Sequence, residues 1–402
     1  MKTIKEIYKI GHGPSSSHTM GPSFAAEIFL KNVPNTRHAA ITLYGSLAAT
    51  GKGHLTDKAL NDIFHQAGVE TTINWQPKKF LPFHPNAMKI DACDENGNFI
   101  DTWTVYSVGG GSLKEETPKF LGRGTPDIYP HTHMKDIMEY CTNNGLNFWE
   151  YVQRNEDSDL WDYLAVVWEK MKESIKRGLA EEQVLPGPIH LQRKATKFYV
   201  KSKGLKPSLE SQGLTFAYAL AVSEENASGH IIVTAPTCGS CGVLPAVLYH
   251  LQNTKGFMDI RILRALATAG LFGNIVKENA SISGAEVGCQ GEVGVACAMA
   301  AAAASQLFGG SLSQIEYAAE MGLEHHLGMT CDPVCGLVQI PCIERNAYAA
   351  LRALDSNLYS SFTDGIHCVS FDRVVEVMKQ TGHDLPSLYK ETSEGGLAIT
   401  HN

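Results

Sequence analysis

Five cysteines, Cys289, Cys297, Cys331, Cys335 and Cys342, crowd into Ser281–Asn346, half of the ten in the chain. They sit in two glycine- and proline-rich stretches, SISGAEVGCQGEVGVACAMAA and EHHLGMTCDPVCGLVQIPCIERN. The opening MKTIKEIYKIGHG has no apolar core of signal-peptide length, which predicts a cytoplasmic chain. There thiols stay reduced, so they point to metal or catalysis rather than disulfides. Three readings compete. Cys238-Gly-Ser-Cys241 and Cys331-Asp-Pro-Val-Cys335 form two close pairs of the kind a structural zinc site uses. As a redox pair, the CxxC lacks the βαβ context that motif needs. An iron–sulfur cluster instead takes scattered ligands. Cys289, Cys331 and Cys342 suit it, each beside Gly or Pro in a non-helical turn whose backbone N–H groups can face sulfide. The third reading is small buried side chains with no cofactor. Cys297, inside an alanine-rich helical run, reads as core packing.

If three cysteines hold a cubane cluster, one iron has no protein ligand and can act as a Lewis acid on a substrate hydroxyl. Eliminating water then needs a base for the α-proton and an anchor for a carboxylate. Ser15-Ser16-Ser17-His18-Thr19, just before a helix start, offers hydroxyls, backbone N–H groups and the positive end of a helix dipole. The same residues also read as a plain helix cap. His54, in a glycine-flanked loop after a strand, can titrate near neutrality as a base, or be an ordinary loop histidine.

The elements that must carry these residues divide the chain. Gly21-Pro22 opens a helical pattern with Phe24, Ile28 and Phe29 on one face. A strand is expected over Ala39–Tyr44, a helix over Asp57–Gln66, and a hairpin from Met88–Ala92 and Phe99–Val105 around Asn96-Gly97. Past the connector Gly122–Pro130, apolar residues recur at helical spacing in Trp161–Ile175, Thr215–Val222, Ile260–Phe272, Val293–Phe308, Ile315–Leu323, Ile343–Leu354 and Phe371–Met378. Only Ile231–Ala235 tempts as a strand there. The expected fold is an α+β N-terminal domain over residues 1–132, a linker over 133–150, and a mostly all-α catalytic domain over 151–402. Forty-four per cent apolar residues can fill two cores across 402 positions. A net charge of −8 offers no footprint for nucleic acid or an anionic membrane, and no apolar run reaches bilayer length.

Across these motifs, from SSSHTMGP and GSLAATGKGH through SISGAEVGCQGEVGVAC and TCDPVCGLVQIPCIERN, the chain resembles the bacterial iron–sulfur-dependent L-serine dehydratases in their single-chain form. The resemblance implies a [4Fe-4S] cluster on Cys289, Cys331 and Cys342, His54 as base, and Ser15, Ser16, Ser17, His18 and Thr19 at the substrate. It implies conversion of L-serine to pyruvate and ammonia without pyridoxal phosphate, and a homodimer. Two departures stand out. Family members can end in a cysteine that caps the cluster, whereas this chain ends GLAITHN, with His401 the one conceivable substitute. Cys335 is unexpected, and as a fourth ligand would weaken the Lewis-acid role; the residue is expected to stay unligated. The rival readings are a hydro-lyase for another β-hydroxy acid or amino acid, and a non-enzymatic iron–sulfur or zinc sensor. The sequence leaves open serine versus threonine preference and whether a second serine acts as effector.

Overall fold

A computed structural model describes residues 1–122 and 125–401, except the side chains of residues 400 and 401. Residues 123–124, within the expected connector, lie outside the described part. The N-terminal part runs β1 (Ile10–His12), α1 (Gly21–Asn32), β2 (His38–Tyr44), α2 (Gly45–Ala49), α3 (Thr56–Gln66), β3 (Glu70–Gln76), β4 (Ala87–Cys93), β5 (Phe99–Ser107) and β6 (Leu113–Lys114). Five strands make one sheet in the order β3-β2-β4-β5-β6. The pair β2–β3 is parallel, as a helical crossover through α3 requires, and the others are antiparallel. The hairpin forms as its alternation predicts, Met88 opposite Val105, with Gly97 at φ 80 in its turn. Helices α1 and α3 cover the sheet; Phe29, Leu60 and Phe64 bury against Ile41, Ile90 and Trp103.

The remainder is helical: α4 (Met134–Asn144), α5 (Phe148–Asn155), α6 (Leu160–Ala180), α7 (Ala195–Ser202), α8 (Pro207–Ala227), β7 (Ile231–Val233), α9 (Val243–Lys255), α10 (Asp259–Asn279), α11 (Gly284–Val287), α12 (Val293–Leu307), α13 (Leu312–Glu324), α14 (Cys342–Ser361) and α15 (Phe371–Asp384). Every helix expected from periodicity is present, and Ile231–Val233 is indeed a strand. Residues 133–150 carry α4 and the start of α5, whose Ile137, Cys141 and Phe148 enter the helical core. At the centre lies α12, buried from Val293 to Ser305 because α9, α10, α13 and α14 enclose it. Its alanines let helices approach: a Cβ on Gly322 of α13 would stand 3.1 Å from the Ala298 backbone. No described helix is long and apolar enough to cross a membrane.

The two parts are joined by more than the connector. Strand β1 pairs antiparallel with β7, Ile10 opposite Val233 and His12 opposite Ile231. Residues 13–20 leave that small sheet and run directly into α1, so the serine-rich loop is strung between both parts.

Candidate active site

The loop Ser15–Met20 is one wide turn continuous with α1: Thr19 N and Met20 N both donate to the Ser15 carbonyl, at 2.9 and 3.0 Å. Ser15 caps it, its Oγ accepting from His18 N at 3.0 Å. His54 ends the turn between α2 and α3, its N–H donating to Thr50 O at 3.0 Å. The two loops hold each other reciprocally. Thr19 Oγ1 donates to the His54 carbonyl at 2.7 Å, and Thr56 Oγ1 donates to the His18 carbonyl at 2.5 Å. The His18 and His54 rings meet edge to face, 4.6 Å apart.

Three elements of the helical part deliver the cysteines. Cys289 follows Gly288, whose φ of 73 turns the chain out of α11, and leads into α12. Cys342 is the first residue of α14, after Pro341. Cys331 sits in an extended segment paired with the C-terminal region: Cys331 N donates to Tyr389 O, and Glu391 N to Cys331 O, both at 2.8 Å. All three side chains are buried. They line one small enclosed cavity with Ser15, His54, Glu292 and Glu391. The sequence-predicted base, ligands and one serine therefore converge, although more than 200 residues separate them along the chain.

The donor set fits a thiolate-bound cluster. Burial pushes the Cys342 thiol well up, and a hydrogen bond with Cys289, then burial, does the same to Cys331. Such thiols become thiolates when a soft metal takes the charge. Cys289, Glu292 and Cys331 offer ligand atoms within 4.8 Å of one another, a set Cys342 falls outside. The three thiols thus surround a volume rather than converge on one ion. Glycine leaves room beside them: a Cβ on Gly284 would lie 3.2 Å from Cys331 Sγ and 2.8 Å from Glu292 Oε2. Arg345 brings a cation to the thiols, its Nη1 donating to Thr330 O at 2.6 Å and its Nη2 3.5 Å from Asp332 Oδ1.

Titration states follow from enclosure. Burial, helped by His18, holds His54 well below the usual 6.5. Burial first, and His84, lower His18 to about 4 against a hydrogen bond to the Ser46 backbone that raises it. Both imidazoles are therefore neutral at pH 7. Burial raises Glu292 to about 7, with Thr237, Cys289 and Arg345 pulling the other way. Burial lifts Glu391 well above the carboxylate range, and Glu292 and Cys289 add to it.

Not every expected residue faces the cavity. Ser16, Ser17, His18 and Thr19 are buried behind it: Ser17 Oγ lies 2.8 Å from His18 Nδ1, and Thr19 is committed to the His54 loop. Cys335 is exposed at φ 54 and does not line the cavity. Cys238, Cys241 and Cys297 are in the helical core, although Gly239 between the first two reaches the cavity. Of the C-terminal tail, Leu397 N donates to Asp332 Oδ2 at 2.8 Å; the His401 side chain lies outside the described residues. Sequence reasoning missed Glu292, Arg345 and Glu391. Glu292 had a signal, as a lone charge three residues past Cys289 in an apolar run. Glu391 had none, because only the pairing with Cys331 brings it in.

Comparison with known proteins agrees with this layout. Residues 3–64 and 62–118 match the family model of the serine dehydratase beta chain, and residues 114–398 that of the serine dehydratase alpha chain. An L-serine dehydratase of Streptomyces coelicolor is 40% identical over 448 aligned residues, covering 99% of this chain and 98% of its own. One from Haemophilus influenzae is 36% identical, covering 99% of each chain. L-serine dehydratase 1 of Escherichia coli is 38% identical, again covering 99% of each. These alignments are longer than the 402 residues of this chain, so the relatives carry stretches it lacks.

Proposed function

The chain belongs to the serine dehydratase family, and on that premise we propose that it converts L-serine to pyruvate and ammonia in the cavity between its two parts. The observation that carries this reading is the convergence of Cys289, Cys331 and Cys342 with His54 and Ser15 around one enclosed space. Cys289, Cys331 and Cys342 would hold a [4Fe-4S] cluster, which, with three protein ligands, supplies a Lewis acid toward the leaving hydroxyl.

The protein's own residues do the rest. His54, neutral and enclosed, takes the α-proton of serine onto its imidazole. Thr50 Oγ1, 3.3 Å from His54 Nδ1, orients the ring. As the proton leaves, the Cα–H electron pair becomes the Cα=Cβ bond and the Cβ–O bond breaks; the departing hydroxide regains one proton, balancing the one His54 took and later returns, to give aminoacrylate and water. Aminoacrylate tautomerises to an imine, which water hydrolyses to pyruvate and ammonia. Ser15 would receive the substrate carboxylate, a role supported by its position at the cavity wall and at the positive end of the turn opening α1. Ser16, Ser17, His18 and Thr19 hold that turn in shape. Burial excludes bulk water from the proton-transfer site.

Anaerobic reconstitution with iron and sulfide, followed by a pyruvate assay on L-serine and L-threonine, tests the reading. The expected outcome is pyruvate from L-serine at a higher kcat/KM than 2-oxobutyrate from L-threonine. Absence of pyruvate from protein with full iron and sulfide content would refute it.

A further inference from the structure

The reaction proposed above assigns a base and a carboxylate anchor, and leaves the ammonium group of the substrate without a partner. We propose that Glu391 is that partner: its carboxylate receives the α-ammonium of L-serine and selects amino acids over hydroxy acids.

Glu391 is only 6% exposed and lines the cavity that holds the cysteines, His54 and Ser15. Its Oε2 has no hydrogen-bond partner. Its Oε1 lies 3.5 Å from His18 Nδ1 and 3.9 Å from His54 Nδ1, too far for strong hydrogen bonds. An enclosed carboxyl oxygen without a donor is an unmet hydrogen-bonding demand. The other carboxylate in the wall, Glu292, is already opposed by Arg345 and bonded by Thr237. Glu391 is the unbalanced one.

Its position is fixed from two sides. Glu391 N donates to Cys331 O at 2.8 Å, and Ser46 Oγ donates to Glu391 O at 2.8 Å. The backbone adopts φ 59 there, an unfavourable conformation for a residue with a Cβ. Two parts of the molecule thus hold one strained residue so that its carboxylate enters the site. An α-ammonium brings three N–H donors to the free oxygen, and its positive charge favours the ionised carboxylate in the complex. The same placement puts the substrate's Cα beside the His54 ring, where its proton must be lost.

The test compares wild type with Glu391→Gln and Glu391→Asp, all reconstituted anaerobically. L-serine is the substrate, and 3-hydroxypropionate, which lacks the amino group, the competitive inhibitor. Gln should raise KM for L-serine about tenfold or more, the loss of one charge-assisted hydrogen bond, while Ki for 3-hydroxypropionate stays level or falls. Asp should restore part of the lost serine affinity, and iron and sulfide content should equal wild type. An unchanged KM in Gln, with wild type active, would overturn this inference and leave the proposed reaction standing. So would equal weakening of serine and 3-hydroxypropionate, which marks a structural role. Equally, one divalent metal per chain beyond the cluster iron, lost in Gln, would overturn it by assigning His18, His54 and Glu391 to that metal. Wild type with a full cluster and no pyruvate would remove both.

Discussion

Cys335 stands four positions after Cys331 and is nonetheless turned out of the site, exposed on a backbone at φ 54. Spacing alone made it a candidate ligand; the left-handed turn points it away from the cavity. Cys335→Ser should leave iron, sulfide and turnover unchanged, measured anaerobically against wild type, and a loss of cluster iron would make Cys335 a ligand. As the proposed base, His54 would set the pH behaviour. Its folded pKa is depressed below 6.5, so the neutral, proton-accepting form persists until the pH falls well under that value. A base is lost as pH drops through its pKa. The acid limb of kcat/KM on L-serine should therefore lie below pH 6.5; a limb above it would assign the base elsewhere. The cysteines and His54 stood out as candidates because each sits in a local pattern of Gly, Pro and turn residues, and the family resemblance chose among the readings. Glu391 was illegible because its role comes from a two-sided backbone pairing with a residue 60 positions earlier, and no local pattern records that.

At the scale of elements, the site depends on two loops touching back to back. A Cβ on Gly53 would lie 2.5 Å from Gly336 O and 3.0 Å from Cys335 O, both backbone atoms that cannot rotate aside. The loop carrying His54 thus rests on the loop between Cys331 and Cys342, and glycine sets their separation. Gly53→Ala should force them apart and lower kcat/KM on L-serine by about 10²-fold, the cost of roughly an ångström of misplacement, with iron content near wild type. Full activity in Gly53→Ala would show that the loops need not touch. Helices were the readable elements, since a buried face repeats at helical spacing; α12 was readable from composition, because only small side chains permit such close neighbours. Strand β3 was not readable. Glu70–Gln76 reads ETTINWQ: its half-buried face alternates, but only Ile73 and Trp75 on it are apolar, too short a signal to mark a strand. Its parallel pairing with β2 makes it a strand.

For the whole molecule, the N-terminal residues do not fold with the sheet that follows them. Ile4, Ile7 and Tyr8 are fully buried in the helical core. Tyr8 Oη donates to Leu266 O at 2.7 Å. They fit a notch in α10: a Cβ on Gly270 would meet Tyr8 Cε2 at 2.9 Å, and one on Gly273 would meet Ile7 Cγ2 at 3.3 Å. Residues that match the beta-chain family model are thus structural parts of the helical unit, and β1 extends the attachment through β7. The arrangement explains how the serine loop is aimed, because its leading end is anchored on the cysteine-bearing part and its trailing end on the sheet-bearing part. Ile7→Ala should cost about 2–5 kcal/mol, the range for removing a fully buried aliphatic side chain. That loss should appear in the helical unit rather than in the sheet. Hydrogen exchange checks it: protection should fall across Asp259–Asn279, and across Ile231–Val233 with its partner strand, while His38–Tyr44 and Ala87–Cys93 keep theirs. Loss confined to those sheet strands would place the N-terminal segment energetically with the first part. Loss in both at once would mean that the two parts unfold as one, with the active site at their junction as part of what joins them.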